Sequence, residues 1–131
     1  MSESVLLLEE LTAFCRSGSL SESGLRAIVE RHSWAPNKPS LQHYSFFTWA
    51  CNNERVTEGI LRYLLDNFPA ATKFADEDRY TPLHYNCRNK NTTLGMVQLL
   101  IDAFPDSLRH ENKKGHTPLH VLCHNEHLDE G

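Results

Sequence analysis

Cys15, Cys51, Cys87 and Cys123 follow one another at a constant interval of 36 residues. A fixed step of about 20 to 50 residues marks a chain built from stacked copies of one supersecondary unit. Other residues keep the same step. Thr81-Pro82-Leu83-His84 recurs as Thr117-Pro118-Leu119-His120, Leu64-Leu65 as Leu100-Ile101, Phe68-Pro69 as Phe104-Pro105, Gly59 as Gly95, and Asn53 as Asn89 and Asn125. Toward the N-terminus the pattern fades: Ile28-Val29 replaces the Leu-Leu pair, and Glu9 to Thr12 and Ser45 to Thr48 fill the slot of the later tetrapeptide.

One period reads as helix, tight turn, helix, loop. Thr81 can cap free N–H groups and Pro82 loses no hydrogen bond at the first helical position, so a helix starts there. Leu83, Asn86 and Cys87 then form one stripe, with Cys87 small enough for a neighbouring helix to come close. Asn89 is expected to end this helix in a left-handed conformation. A second helix carries Leu94, Val97, Leu100 and Ile101 on one face and stops at Phe104-Pro105, because a residue before proline avoids helical angles. The polar run from Glu111 to Gly115 returns the chain to the next unit.

Composition narrows the function classes. A formal charge of −4 from 13 Lys and Arg against 17 Asp and Glu argues against a general polyanion binder, so no nucleic-acid partner is expected. The aliphatic run Val5 to Leu8, flanked by Glu3, Glu9 and Glu10, is too short and acidic for an export signal or membrane span. The expected location is therefore intracellular, cytoplasmic or nuclear. Four cysteines would suit two disulfides in a secreted mini-protein, but here they read as reduced thiols.

These residues resemble the ankyrin repeat, whose pattern runs Asp-x-x-Gly-x-Thr-Pro-Leu-His, a helix, a turn and a Leu-Leu helix. Asp76 with Thr81, Pro82, Leu83 and His84 matches in one copy, and Asn112, Gly115, Thr117, Pro118, Leu119 and His120 in the next. The resemblance implies an all-α solenoid of helix-turn-helix repeats joined by finger-like loops. The whole chain, 1–131, is then a single repeat domain with units at about 5–39, 40–75, 76–111 and a partial 112–131. The period of 36 exceeds the family's usual length of about 33. Arg79 stands where the family has a glycine, so that finger is expected to be less regular than the one with Gly115. Asn86 replaces an alanine. The first unit lacks the tetrapeptide and, with Glu10, Thr12 and Ser17, is expected to be a polar cap with few large inward groups.

What the resemblance implies about function is non-catalytic binding of another protein through a concave face, in a scaffold, adaptor or targeting role. The fingers would offer Gln42 and Tyr44, then Glu77, Asp78 and Tyr80, then Lys113, Lys114 and His116. The ends of the first helices would offer Arg16 and Ser17, Asn52 and Asn53, Arg88 and Asn89, and His124 and Asn125. No cofactor and no membrane insertion are expected.

Other readings compete with this one. His84 and His120 each precede a cysteine by three residues, an outline of Cys/His chemistry, although a repeat has no need of the same catalytic pair twice. In the resembled family this histidine holds the threonine hydroxyl and neighbouring loop. His116, His120, Cys123, His124 and His127 crowd into twelve residues and would suit zinc. Against a metal, Cys123 is expected to face the packing stripe. A metal-binding or enzymatic module using this cluster is thus the alternative, as is the recognition arm of a larger ligase or kinase. The column Asn53, Asn89, Asn125 reads either as helix caps or as a recognition ladder. Glu30, Asp66 and Asp102 fall on a solvent-facing track. Finally, 131 residues are about 3.6 periods, so a truncated longer array, or end-to-end self-association through an uncovered helix bearing Leu119, Val121 and Leu122, is expected.

Overall fold

In the computed structural model, residues 3–32 and 45–124 are described. Every regular element among them is helical. Helices α1 (Glu3–Arg16), α3 (Ser45–Asn52), α5 (Pro82–Arg88) and α7 (Pro118–Cys123) alternate with α2 (Glu22–Arg31), α4 (Glu58–Asn67) and α6 (Leu94–Ala103). The starts of α2, α4 and α6 are 36 residues apart, and the same cap explains each. Ser21 Oγ accepts from the Gly24 N–H, Thr57 Oγ1 from Ile60 and Thr93 Oγ1 from Met96. Such caps contribute about 1 kcal/mol each.

The odd-numbered helices pack side by side, α1 on α3, α3 on α5 and α5 on α7, and α2, α4 and α6 form a second layer outside them. One apolar core runs between the layers. Phe46, Phe47 and Phe68 are fully buried, with Phe46 and Phe68 meeting edge to face at 5.1 Å; each such side chain contributes on the order of 2–3 kcal/mol relative to exposure. Cys15, Cys51 and Cys87 line up through the stack, buried and not disulfide-bonded. Proline ends α4 and α6 as expected, and a short 3-10 turn follows in each case, Pro69–Lys73 and Pro105–Arg109.

Several expectations need correction. Leu94 is 68% exposed, because as the first residue of α6 it occupies the outward position held by Glu22 and Glu58 in α2 and α4; Met96, Val97 and Leu100 fill the core instead. The first unit is not poor in large inward groups, since Leu7, Leu11, Leu20 and Leu25 are fully buried. Cys123 is exposed rather than turned into the stripe, and Leu119 is 57% exposed.

The finger carrying Arg79 is as regular as the one carrying Gly115. In the first, Asp76 N–H donates to Tyr80 O and Arg79 N–H to Asp76 O; in the second, Asn112 pairs with His116 and Gly115 with Asn112 in the same way. Asp76 Oδ1 accepts from the N–H groups of Asp78 and Tyr80, and Asn112 Oδ1 from those of Lys114 and His116. Gly115 takes φ +80° without steric cost, and Arg79 takes φ +65° against the ordinary preference of a residue with a Cβ.

Candidate functional site

Near the C-terminal end of each inner helix, two positions three residues apart define its solvent side. At the first position the 36-residue step runs Ala13, Trp49, Tyr85, Val121, and at the second Arg16, Asn52, Arg88, His124. Residues at i and i+3 are neighbours on a helix surface, and stacking the helices sets the two columns side by side. The outcome is a continuous trough. A depression of about 370 Å³ includes Arg16, Trp49, Asn52 and Asn53, one of about 230 Å³ includes Trp49, Asn52, Tyr85 and Arg88, and one of about 240 Å³ is lined by Tyr80, Arg88, His116, His120, Val121 and His124.

Cations and rings interleave along it. The Arg16 guanidinium lies 4.5 Å from the centre of the Trp49 ring, and that of Arg88 lies 5.2 Å from Tyr85 and 6.0 Å from Tyr80. Tyr85 donates its hydroxyl proton to Asp76 Oδ2, and partial burial with that hydrogen bond pushes its pKa up to about 12. The ring is thereby held against Tyr80, 5.3 Å away. At the α7 end His116 and His120 stack at 4.2 Å, with His124 5.2 Å beyond His120.

His84 stands behind this surface, fully buried. Its Nδ1 accepts from the Thr81 N–H at 3.1 Å, so its Nε2 carries the proton and donates to the His116 carbonyl at 2.9 Å. Desolvation lowers its basicity. The imidazole, with the Thr81 hydroxyl also 2.9 Å from its Nδ1, therefore ties the start of α5 to the next finger. Burial also pushes the Cys15 and Cys87 thiols up to about 12, and Cys51 well above the usual thiol range, which makes them poor nucleophiles.

The asparagine column has a specific use. Asn53 Nδ2 donates to the Cys15 and Ser17 carbonyls, and Asn89 Nδ2 to those of Cys51 and Asn53. Each side chain thus closes the C-terminus of the helix in the preceding unit, while its Oδ1 accepts from the N–H two residues on. Two earlier expectations change. Asn89 itself is extended, with φ −68° and ψ 125°, and closes α5 by donating its backbone N–H to Asn86 O rather than by a left-handed turn. Asn89 is also buried, with its amide occupied by backbone, whereas Asn53, bonded in the same way, still borders the depression beside Arg16.

The remaining finger residues divide. Asp78 accepts the Lys113 N–H at 3.0 Å and its carboxylate lies 3.6 Å from Lys113 Nζ, so the acidic and basic fingers hold each other. Glu77 and Lys114 are exposed at the rim, and Tyr80 and His116 are half-buried in the trough. Gln42, Tyr44, Asn125 and His127 lie outside the described residues. Among the described residues no three His, Cys, Asp or Glu side chains are arranged to hold a metal ion, and no helix is long and apolar enough to cross a membrane. Trp49 and Tyr85 were not singled out by sequence reasoning; the signal was the aromatic column one helical turn before Asn52 and Arg88.

A family model described as ankyrin repeats, three copies, matches residues 47–130. The chain belongs to the ankyrin-repeat family. No curated protein matches it. As an ankyrin-repeat protein it carries a module that is generally used for protein–protein interaction. Its trough lies on the inner helices and fingers of the ankyrin stack, and Arg16, Trp49, Tyr80, Tyr85 and Arg88 are its most prominent side chains.

Proposed function

We propose that this ankyrin array is a non-catalytic binding module that captures a segment of another protein along the trough, in a scaffold, adaptor or targeting role inside the cell. The observation that carries this reading is the run of Arg16, Trp49, Tyr85 and Arg88 across three stacked helices, with Tyr80 of the adjoining finger beside Arg88. Arginine and aromatic side chains dominate binding energy at protein interfaces, since they join large contact area to directional hydrogen bonding. Buried cysteines that form no disulfide fit a reducing compartment.

Affinity capture with the whole chain as bait, followed by mass spectrometry, tests the proposal. Trp49→Ala combined with Tyr80→Ala, Arg88→Ala and His124→Ala is expected to remove the captured partner while helical circular dichroism stays unchanged. Undiminished capture by this folded variant would place the interaction elsewhere and sink the reading.

A further inference from the structure

The trough has an electrostatic character that the net charge of the chain conceals. Among the described residues, Lys113 is paired with Asp78, Lys90 with Glu54, Arg26 with Glu22 and Arg31 with Glu10. Arg16 and Arg88 take part in none of these ion pairs and lie over aromatic rings instead, while Arg55, which also lines the trough, donates from Nε to the Leu20 carbonyl. A guanidinium on a ring uses its face for the ring and keeps its in-plane N–H fork for an acceptor. Of the carboxylates bordering the trough, Glu54 is paired with Lys90 at 2.9 Å, and Asp76 accepts from the Tyr85 hydroxyl and two backbone N–H groups. Glu77 is exposed at the rim, and Glu9 lines the depression at the α1 end together with Leu8, Thr12 and Arg16.

We infer that the occupant of the trough is an extended acidic polypeptide segment, whose carboxylates take the forks of Arg16 and Arg88 and whose apolar side chain lies on Trp49 between them. This deepens the function proposed above and rests on it. Planar, bidentate carboxylate recognition is the interaction that two preoriented arginines are suited to. The spacing follows from the stack. Packed helices lie about 8–10 Å apart, so Arg16 on α1 and Arg88 on α5 are separated by about 16–20 Å. An extended chain rises about 3.3 Å per residue, which sets the two acidic residues about five or six positions apart. Asn52, half-buried midway, is placed to meet the backbone of the segment.

Selection of the purified protein against a randomised peptide library, then fluorescence anisotropy on a labelled consensus peptide, tests this. Enrichment of Asp or Glu at two positions about five or six apart is expected. Amidation of both acids to Asn or Gln, or Arg16→Gln with Arg88→Gln in the protein, should weaken binding about tenfold, with the melting temperature unchanged and the loss reproduced by added salt. Enrichment of basic or neutral sequences, failure to enrich any sequence, or tighter binding of a single-stranded oligonucleotide would overturn the inference. If cellular capture still depends on Trp49, Tyr80, Arg88 and His124 in that event, the binding-module reading survives without its acidic ligand; if capture is independent of them, both fall.

Discussion

Asn89 donates from Nδ2 to the carbonyl of Cys51 at 2.9 Å, and so ends a helix to which it does not belong. The last carbonyls of an α-helix have no partner within the helix and need one from outside. Here the next repeat supplies it. The same atom also reaches Asn53 O, and the opposite end of the amide accepts from Asn91. Stacking and helix termination are therefore one event, and neither unit has a complete helix end without its neighbour.

Asn89→Ala is expected to destabilise the protein by about 2–4 kcal/mol, since it leaves buried carbonyls unpaired. Asn89→Asp should cost at least as much, because it keeps the acceptor for Asn91 but turns an anion toward two carbonyls. Urea unfolding followed by circular dichroism gives the comparison, and a loss below about 0.5 kcal/mol for both variants would show that the bridge contributes little.

Arg79 sits at φ +65° in a finger whose counterpart uses glycine. Arg79→Gly relieves a left-handed conformation that costs about 1–2 kcal/mol, and adds part of that back as unfolded-state entropy. A net stabilisation of about 0.5–1 kcal/mol is expected, whereas Arg79→Val, branched at Cβ, should destabilise. Thermal melts of the two variants should move in opposite directions.

The neutral form of His84 is favoured in the folded state, first through desolvation, with the nearby rings of His110 and His116 acting in the same direction and the His116 carbonyl and Asp76 opposing. Its folded pKa lies below the ordinary 6.5. The contribution to stability is thus full above pH 6.5 and is lost as pH falls from there through the folded pKa. The difference in unfolding free energy between wild type and His84→Gln should be largest near pH 8 and shrink by pH 5. A difference that is flat or grows on acidification would contradict the assignment.

Cys123 is exposed whereas Cys15, Cys51 and Cys87 are buried. A maleimide reagent at neutral pH should label Cys123 of the native protein alone within minutes, and all four thiols after denaturation, as read from the mass of the modified peptides. Rapid native labelling of Cys51 would show that the α1–α3–α5 stack opens easily.

Thr81 and Pro82 announce the start of α5, and Phe104-Pro105 the end of α6, because caps and proline act on backbone within a few residues. Leu94 was misread for the complementary reason. Its spacing fits the apolar face, but the face that is covered depends on how α6 lies against α4, and that is a tertiary matter. The candidate site divides along the same line. Tyr80, Arg88, Asn52, His116 and His124 were legible as repeat positions. Trp49 was not, because its worth lies in the Arg16 guanidinium that the neighbouring unit lays over its ring, and Tyr85 was passed over although its cation, Arg88, stands one turn away on the same helix.

The sequence by itself determined the repeat length, the class of fold and the caps that begin each helix, since these depend on residues close together in the chain. Only the stacked structure decided which asparagines are internal caps, which fingers neutralise one another and which arginine lies over the tryptophan of the next unit. Each of those outcomes joins groups about 36 residues apart, and the physical reason is that a repeat completes its contacts on its neighbour rather than within itself.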